Sequence, residues 1–149
     1  MASNNRKTTP TQAHIDGFVN FMERKGYRDR FRLQDGLYSD KLNPLRSLED
    51  CLSTWLDADF KEGGLQRPLY LSYQFYSSPH RENIDCRFEL KYSQGTGVMV
   101  SRIRLELGYK VDEILMKLGR NNDIPGFQTV AGLFKQKKPW EDHMRGRFR

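Results

Sequence analysis

Two copies of the pattern Arg-x-Arg-Phe-Arg are the feature of this chain that most directly suggests binding chemistry. One copy is residues 28–32 and the other is residues 145–149. Side chains two residues apart in an extended backbone share a face and lie about 6.6 Å apart, so the guanidinium groups would form a row. Such a row suits phosphate groups or an acidic protein surface. A solubilising segment whose arginines prevent edge-to-edge aggregation would have the same pattern, and both interpretations stay open.

The second copy ends a basic tail at residues 135–149. This tail contains six basic and two acidic residues, and so carries four of the six net positive charges of the chain. Trp140 and Phe148 could stack on nucleobases, or could pin the tail back onto the domain. We predict a small intracellular accessory protein whose two segments bind the phosphates of nucleic acid, DNA or RNA, without reading its sequence. The alternative is a non-catalytic protein-interaction or assembly module whose basic-aromatic tail docks an acidic partner. The predicted binding residues are Arg28, Arg30, Phe31, Arg32, Lys135, Lys137, Lys138, Trp140, Arg145, Arg147, Phe148 and Arg149.

No pattern in the sequence indicates an enzyme. Gly95-Thr96-Gly97 lies between two predicted strands and is not followed by Lys-Ser/Thr, so it does not match a phosphate-binding loop. The three histidines are far apart in sequence, and His14 has no carboxylate or cysteine at ligand spacing. Cys51 and Cys86 fit buried apolar positions better than a disulfide or zinc site. We therefore expect no catalytic residue, no cofactor and no metal.

The composition indicates one soluble domain inside the cell. Of the 149 residues, 37% are hydrophobic, which is enough for one core, and 30% are charged. No apolar run approaches the roughly 18 residues of a membrane span, and the first residues lack a secretory signal. We expect a cytoplasmic protein without membrane contact. It divides into a flexible lead-in (1–10), a single α+β domain (11–134) and the basic tail (135–149).

Two helices are predicted before the sheet. Thr9 and Pro10 are typical of a helix N-cap and its first residue, and Gly26 ends the apolar pattern that follows. Ser47 caps the second helix, whose first turn contains acidic residues that the helix dipole favours. Residues 27–46, which include the first arginine copy, are predicted to be irregular.

A three-stranded antiparallel meander follows these helices. Alternation of apolar and polar residues predicts strands at 69–76, 84–92 and 98–107. Residues 110–118 and 127–134 have helical spacing and predict two further helices. The predicted fold is therefore α+β, with a three-stranded sheet packed on one face by flanking helices.

The second hairpin of this meander has a predicted register. A two-residue II′ turn at Gly95-Thr96 would place Tyr92 opposite Met99 and Phe88 opposite Ile103. The same register predicts ion pairs across the other face of the sheet. The predicted pairs are Glu89 with Arg102, Asp85 with Arg104, and Arg87 with Glu106. We expect this charged face to remain open to solvent or to a partner.

The predicted order of helix, three strands and helix over residues 47–118 resembles that of double-stranded-RNA-binding domains. Ser78-Pro79-His80 falls in the loop between the first two strands, where that family has a Pro-x-His element. The resemblance implies a surface that contacts the sugar and phosphate groups of RNA. In that family the second helix begins with a lysine cluster, whereas here Lys110 is followed by Asp112 and Glu113.

Overall fold

The computed structural model describes residues 10–28, 30–61, 67–78, 80–93, 95–117 and 119–133. The predicted lead-in, except for residue 10, and the whole basic tail lie outside the described residues. The described strands form one antiparallel sheet, in which each strand pairs with its neighbour in sequence. The strands are β1 (Phe31–Gln34), β2 (Leu69–Ser77), β3 (Glu82–Ser93), β4 (Gly97–Leu107) and β5 (Lys110–Leu115). The helices are α1 (Pro10–Arg24), α2 (Leu48–Lys61) and α3 (Phe127–Leu133), with a short 3-10 helix at Asn121–Asp123.

The α+β class is confirmed, but the sheet has five strands instead of three. β2, β3 and β4 are the predicted meander, and β1 and β5 are added at its two edges. β1 lies in the stretch that was predicted to be irregular, and its Phe31 pairs with Tyr73 of β2. Four residues are too few to show the alternation of apolar and polar side chains that predicts a strand. β1 forms because it pairs with β2, which is distant in sequence.

The helix predicted at 110–118 is wrong, because Lys110–Leu115 form β5. Its Ile114 packs against the core, whereas Val111 and Leu115 on the opposite face are 43% and 74% exposed. Gly108 has a φ of +59° in the two-residue turn between β4 and β5, as the first position of a II′ turn requires. This turn returns the chain along β4, where backbone pairing overrides the helical spacing of the apolar residues. The resemblance to double-stranded-RNA-binding domains therefore does not extend to the second helix.

The hairpin between β3 and β4 has a different turn from the predicted one. Ser93 pairs with Gly97, and Tyr92 therefore lies opposite Val98, not Met99. A bulge farther along β4 adds one residue, Ser101, and restores the predicted pairing of Phe88 with Ile103. The Ser101 hydroxyl donates hydrogen bonds to the backbone oxygen (3.1 Å) and Oε1 (2.7 Å) of Glu89 across the bulge. Val98 and Val100 consequently belong to the core cluster.

α1 and α2 pack against one face of the sheet, as predicted. Ser47 caps α2 by accepting a hydrogen bond from the backbone N–H of Asp50 (3.1 Å). Gly26 ends α1 with a φ of +101°, and a Cβ built there would lie 2.7 Å from the Cβ of Phe127, so α3 packs close to this point.

No helix among the described residues is long and apolar enough to cross a bilayer. The largest fully buried side chains are Met22, Tyr27, Phe31, Leu52, Leu56, Leu71, Ile84, Phe88, Leu90, Ile103, Leu105 and Ile124.

Candidate nucleic-acid interface

The first arginine copy leads into β1, and the structure separates its phenylalanine from its arginines. Arg28 and Arg30 are exposed and Arg32 is half-buried. Phe31 is 0% exposed, and its ring centroid lies 5.0 Å from that of Tyr73. Neighbouring side chains point to opposite faces of a strand, so Phe31 points into the core and the adjacent Arg32 points to the other face. Phe31, one of the predicted binding residues, is therefore a core residue that a nucleobase cannot reach.

Arg32 closes the outer edge of β1. Its Nε donates to the backbone oxygen of Asn43 (2.8 Å), and Asn43 Nδ2 donates to the backbone oxygen of Leu33. Phe31 and Arg46 exchange two backbone hydrogen bonds at the same edge, of 3.1 and 2.7 Å. Arg32 thus has a structural role. Within the described residues, Arg28 and Arg30 form no ion pair.

The charged face of the sheet is partly covered, contrary to the prediction that it stays open. Residues 37–43, which we call the outer segment, cross this face and are held there by Arg87. Arg87 Nη1 donates to the backbone oxygens of Leu37 (3.1 Å) and Ser39. Its guanidinium also forms ion pairs with Asp85 (3.0 Å), Asp40 (3.6 Å) and Glu106 (3.8 Å), the last being a predicted pair. Arg87 is only 7% exposed as a result.

Arg104 forms the second half of the same charge network. Its Nε lies 2.7 Å from a Glu106 oxygen and its Nη1 lies 3.7 Å from Glu113. The ring of Tyr38 in the outer segment lies 4.7 Å from the Arg104 Cζ, and the Tyr38 hydroxyl donates to Glu113 (2.9 Å). The hydrogen bond to Glu106 raises the pKa of Arg104. Arg104 is therefore neutralised within the molecule, like Arg87.

One carboxylate of this charge network, Asp85, is partly buried, which makes its ionised form less favourable. Burial raises the pKa of Asp85 above its ordinary value, although the adjacent Arg87 guanidinium acts in the opposite direction. Asp85 is ionised at a cost that Arg87 partly offsets. Among the predicted binding residues that are described, exposed positive charge without an ion pair lies at Arg28 and Arg30.

A groove beside α1 was not predicted. It is a cavity of about 310 Å³, and the α1 residues that line it include His14, Gly17, Phe21 and Arg24. These residues recur at intervals of three and four, so they share one face of the helix. His14 was not predicted to belong to a binding site, because it has no carboxylate or cysteine at ligand spacing. A glycine inside a predicted helix usually has a packing or functional reason. Gly17 was therefore the sequence signal that could have revealed the groove.

The opposite wall of this α1 groove comes from the β3–β4 turn and the 3-10 helix. His14 Nδ1 shares a hydrogen bond of 2.9 Å with the Tyr92 hydroxyl. The His14 ring lies so close to Gly97 that a Cβ on Gly97 would come within 2.9 Å of the ring. Asn121 donates to the backbone oxygen of Val98 (2.8 Å) and accepts from the N–H of Val100 (3.1 Å). These contacts hold both walls in place.

The remaining candidate side chains have structural contacts. His80 Nδ1 shares a hydrogen bond of 2.7 Å with the Ser77 hydroxyl in the β2–β3 turn, where Arg81 has a φ of +56°. Cys51 and Cys86 are 0% exposed, and burial raises the pKa of both thiols, that of Cys51 to about 11. In the described part of the chain, no three His, Cys, Asp or Glu residues are arranged to hold a metal ion.

The predicted residues of the tail, from Lys135 to Arg149, lie outside the described residues. The structure therefore brings together only Arg28 and Arg30 of the predicted set as exposed cations. Comparison of the chain with protein-family models, with curated proteins and with solved structures gives no match.

Proposed function

We propose that this protein binds nucleic acid through phosphate contacts and without reading its sequence. The observation that carries the proposal is the contrast between two sets of arginines. Arg87 and Arg104 are neutralised by carboxylates, whereas Arg28 and Arg30 are exposed and form no ion pair within the described residues. Unpaired arginines are available for charge-assisted hydrogen bonds to phosphate oxygens.

Charge and backbone conformation support this function. The chain has a net charge of +6. Because the arginines near the outer segment are paired with carboxylates, the excess positive charge belongs to the unpaired cations and the basic tail. Arg28 and Arg30 precede a strand and are separated by one residue, which suits contacts along a phosphate backbone. Cations that bind phosphate release condensed counterions, so affinity should fall steeply with salt. The tail would add further phosphate contacts and an aromatic stacking group at Trp140 or Phe148.

The test is fluorescence anisotropy with mixed-sequence single-stranded and duplex oligonucleotides at several salt concentrations. For duplex DNA, the double variant R28Q/R30Q should bind more weakly, with a log–log salt slope reduced by about 2. The control is the double variant K117Q/R120Q, which loses the same formal charge at two exposed positions elsewhere. Its Arg120 forms an exposed ion pair with Asp123 (3.9 Å). Replacing the six basic residues of the tail by Gln should reduce the slope further.

Three outcomes would contradict the proposal or part of it. An absence of binding at low salt rejects nucleic-acid binding. Equal weakening by R28Q/R30Q and by K117Q/R120Q shows that net charge, not the first arginine copy, controls affinity. A strong preference for one sequence rejects phosphate-directed recognition, because phosphate contacts carry no direct sequence information.

A second candidate function is a non-catalytic protein-interaction module that docks an acidic partner. The favouring observation is the edge strand β5 with its turn, where Tyr109 and Leu115 are 86% and 74% exposed. Large exposed apolar groups are common at protein interfaces. Competition with polyglutamate in the same anisotropy assay separates the two functions. A protein made for acidic partners would bind polyglutamate as tightly as nucleic acid of equal charge.

A further inference from the structure

The α1 groove contains a glycine that the fold does not require. Gly17 lies inside α1, where glycine is a poor helix former. It has no positive φ, and a Cβ built on it has no atom within 4 Å other than its immediate helix surroundings. Neither backbone conformation nor packing explains the residue. The space that its missing side chain leaves belongs to the groove.

The two ends of the groove have different chemistry. Arg24 lies at one end, is exposed, and has no ion pair within the described residues. His14 lies ten residues away, which is about 15 Å along a helix. Because Nδ1 of His14 is bonded to Tyr92, Nε2 is the ring nitrogen left for a ligand. A bare anion is too short to reach both ends, so the groove fits an elongated ligand.

The floor and charge of the groove narrow the class of ligand. Gly17 and the half-buried Phe21 lie between the two ends and form a floor with one aromatic ring and no side chain at the glycine. The described lining contains no carboxylate, so the charge of the groove is positive. A volume of about 310 Å³ is near the lower limit for small-molecule sites. The ligand is therefore a small, flat molecule with an anionic group at one end.

We propose that the α1 groove binds one phosphorylated nucleotide, with the phosphate at Arg24 and the base between Phe21 and His14. The phosphate would accept hydrogen bonds from the guanidinium, and the base would lie over Gly17 and meet Nε2 of His14 with its polar edge. The nucleotide is either free or the terminal residue of a strand. This inference rests on the proposed function, since it takes the ligand to share the chemistry of nucleic acid.

Calorimetric titration of the full-length protein with AMP, GMP, CMP and UMP tests the site. Adenosine and inorganic phosphate serve as the two half-ligands, and each should bind at least about tenfold more weakly than AMP. The variant G17L should weaken AMP binding by about tenfold or more while preserving the fold by circular dichroism. N20L places the same side chain on an exposed position of α1 outside the groove, and should bind within about twofold of wild type.

Arg24 gives a second variant that does not fill the groove. R24Q should weaken AMP binding by about tenfold and remove the preference for AMP over adenosine, because it removes the phosphate contact alone. Oligonucleotides with and without a 5′-phosphate, compared with free AMP, distinguish a strand end from a free nucleotide. Tighter binding of the phosphorylated oligonucleotide supports the strand end.

The outcomes separate this inference from the proposed function. If the mononucleotides do not bind, or if G17L binds AMP as wild type does, the groove site is rejected. Salt-sensitive binding of long oligonucleotides in that case leaves the proposed function intact. Mononucleotide binding without oligonucleotide binding would instead support the groove and reject the proposed function.

Discussion

At the scale of the residue, the buried guanidinium of Arg87 combines two backbone hydrogen bonds with three ion pairs. It joins the sheet to the outer segment through the backbone oxygens of Leu37 and Ser39, and it offsets the charges of Asp85 and Glu106. Removal of one partner from a buried ion pair leaves the other charge without compensation. Arg87 therefore contributes to stability chiefly by preventing that penalty.

We predict that R87Q lowers the free energy of unfolding by about 3 kcal/mol at pH 7. The loss should be smaller near pH 4. Burial raises the folded-state pKa of Asp85, so the stability contribution of this group is lost as pH rises through that pKa. Removal of Arg87 takes away the charge that lowers this pKa, so the pKa rises further. The loss of stability in R87Q therefore appears only at pH values where Asp85 is ionised. Urea unfolding at both pH values measures the effect.

The matched control is R46Q, which removes an exposed arginine. Arg46 pairs with Asp50 at 3.4 Å, with side chains that are 42% and 56% exposed. Exposed pairs contribute little, so this variant should change stability by less than about 1 kcal/mol. An equal loss for R87Q at both pH values would show that packing, and not the charge of Asp85, controls the effect.

The two glycines of the α1 groove should respond to alanine in opposite ways. G17A should raise the free energy of unfolding by about 1 kcal/mol, because a helix favours alanine and the added Cβ meets open space. G97A should destabilise the protein, since Gly97 has a φ of +83° and its added Cβ would lie 2.9 Å from His14 Cδ2. Thermal unfolding of both variants provides the comparison. A loss of stability in G17A would mean that the fold does require this glycine.

At the scale of the element, β5 shows how pairing overrides local pattern. Val111, Ile114 and Leu115 would share a face in a helix, but pairing with β4 places Ile114 on the core side and Leu115 on the opposite face. The turn at Gly108 brings residues 110–115 back to the otherwise unpaired edge of β4. They form a strand there because unpaired backbone groups are costly when buried. β1 has the same origin, since it exists through its pairing with β2.

Substitutions in β5 distinguish the strand from the predicted helix. I114D should lower the free energy of unfolding by about 2 kcal/mol, because it places a charge against the core. L115E should cost less than about 1 kcal/mol, since Leu115 is 74% exposed. Urea unfolding measures both variants. Similar losses would indicate that the two residues share a buried face, as in a helix.

At the scale of the whole molecule, the distribution of charge is decided by pairing more than by composition. On the sheet face that appears highly charged in sequence, Arg87 and Arg104 are neutralised by ion pairs and are covered by the outer segment. Arg28 and Arg30 remain unpaired within the described residues. The molecule therefore separates a neutral, structural set of charges from a positive set that is available to a partner.

The sequence by itself determined the elements whose signals are local. The capped start of α2 at Ser47 and the alternating strands β2, β3 and β4 follow from residue spacing and turn chemistry. Phe88 opposite Ile103 was predicted correctly, although the turn was not, because the bulge at Ser101 compensates for the longer turn. The buried state of both cysteines also followed from their positions in these patterns.

Only the tertiary structure decided the features that depend on distant partners. Phe31 is buried because β1 pairs with β2, and Arg87 is covered because the outer segment crosses the sheet. His14, which lines the α1 groove, forms a hydrogen bond with Tyr92, 78 residues away. Such contacts have no periodic signal, since hydrophobic burial and backbone pairing between remote segments determine them. The two arginine copies are a property of the sequence, but which arginines remain available for binding is a property of the fold.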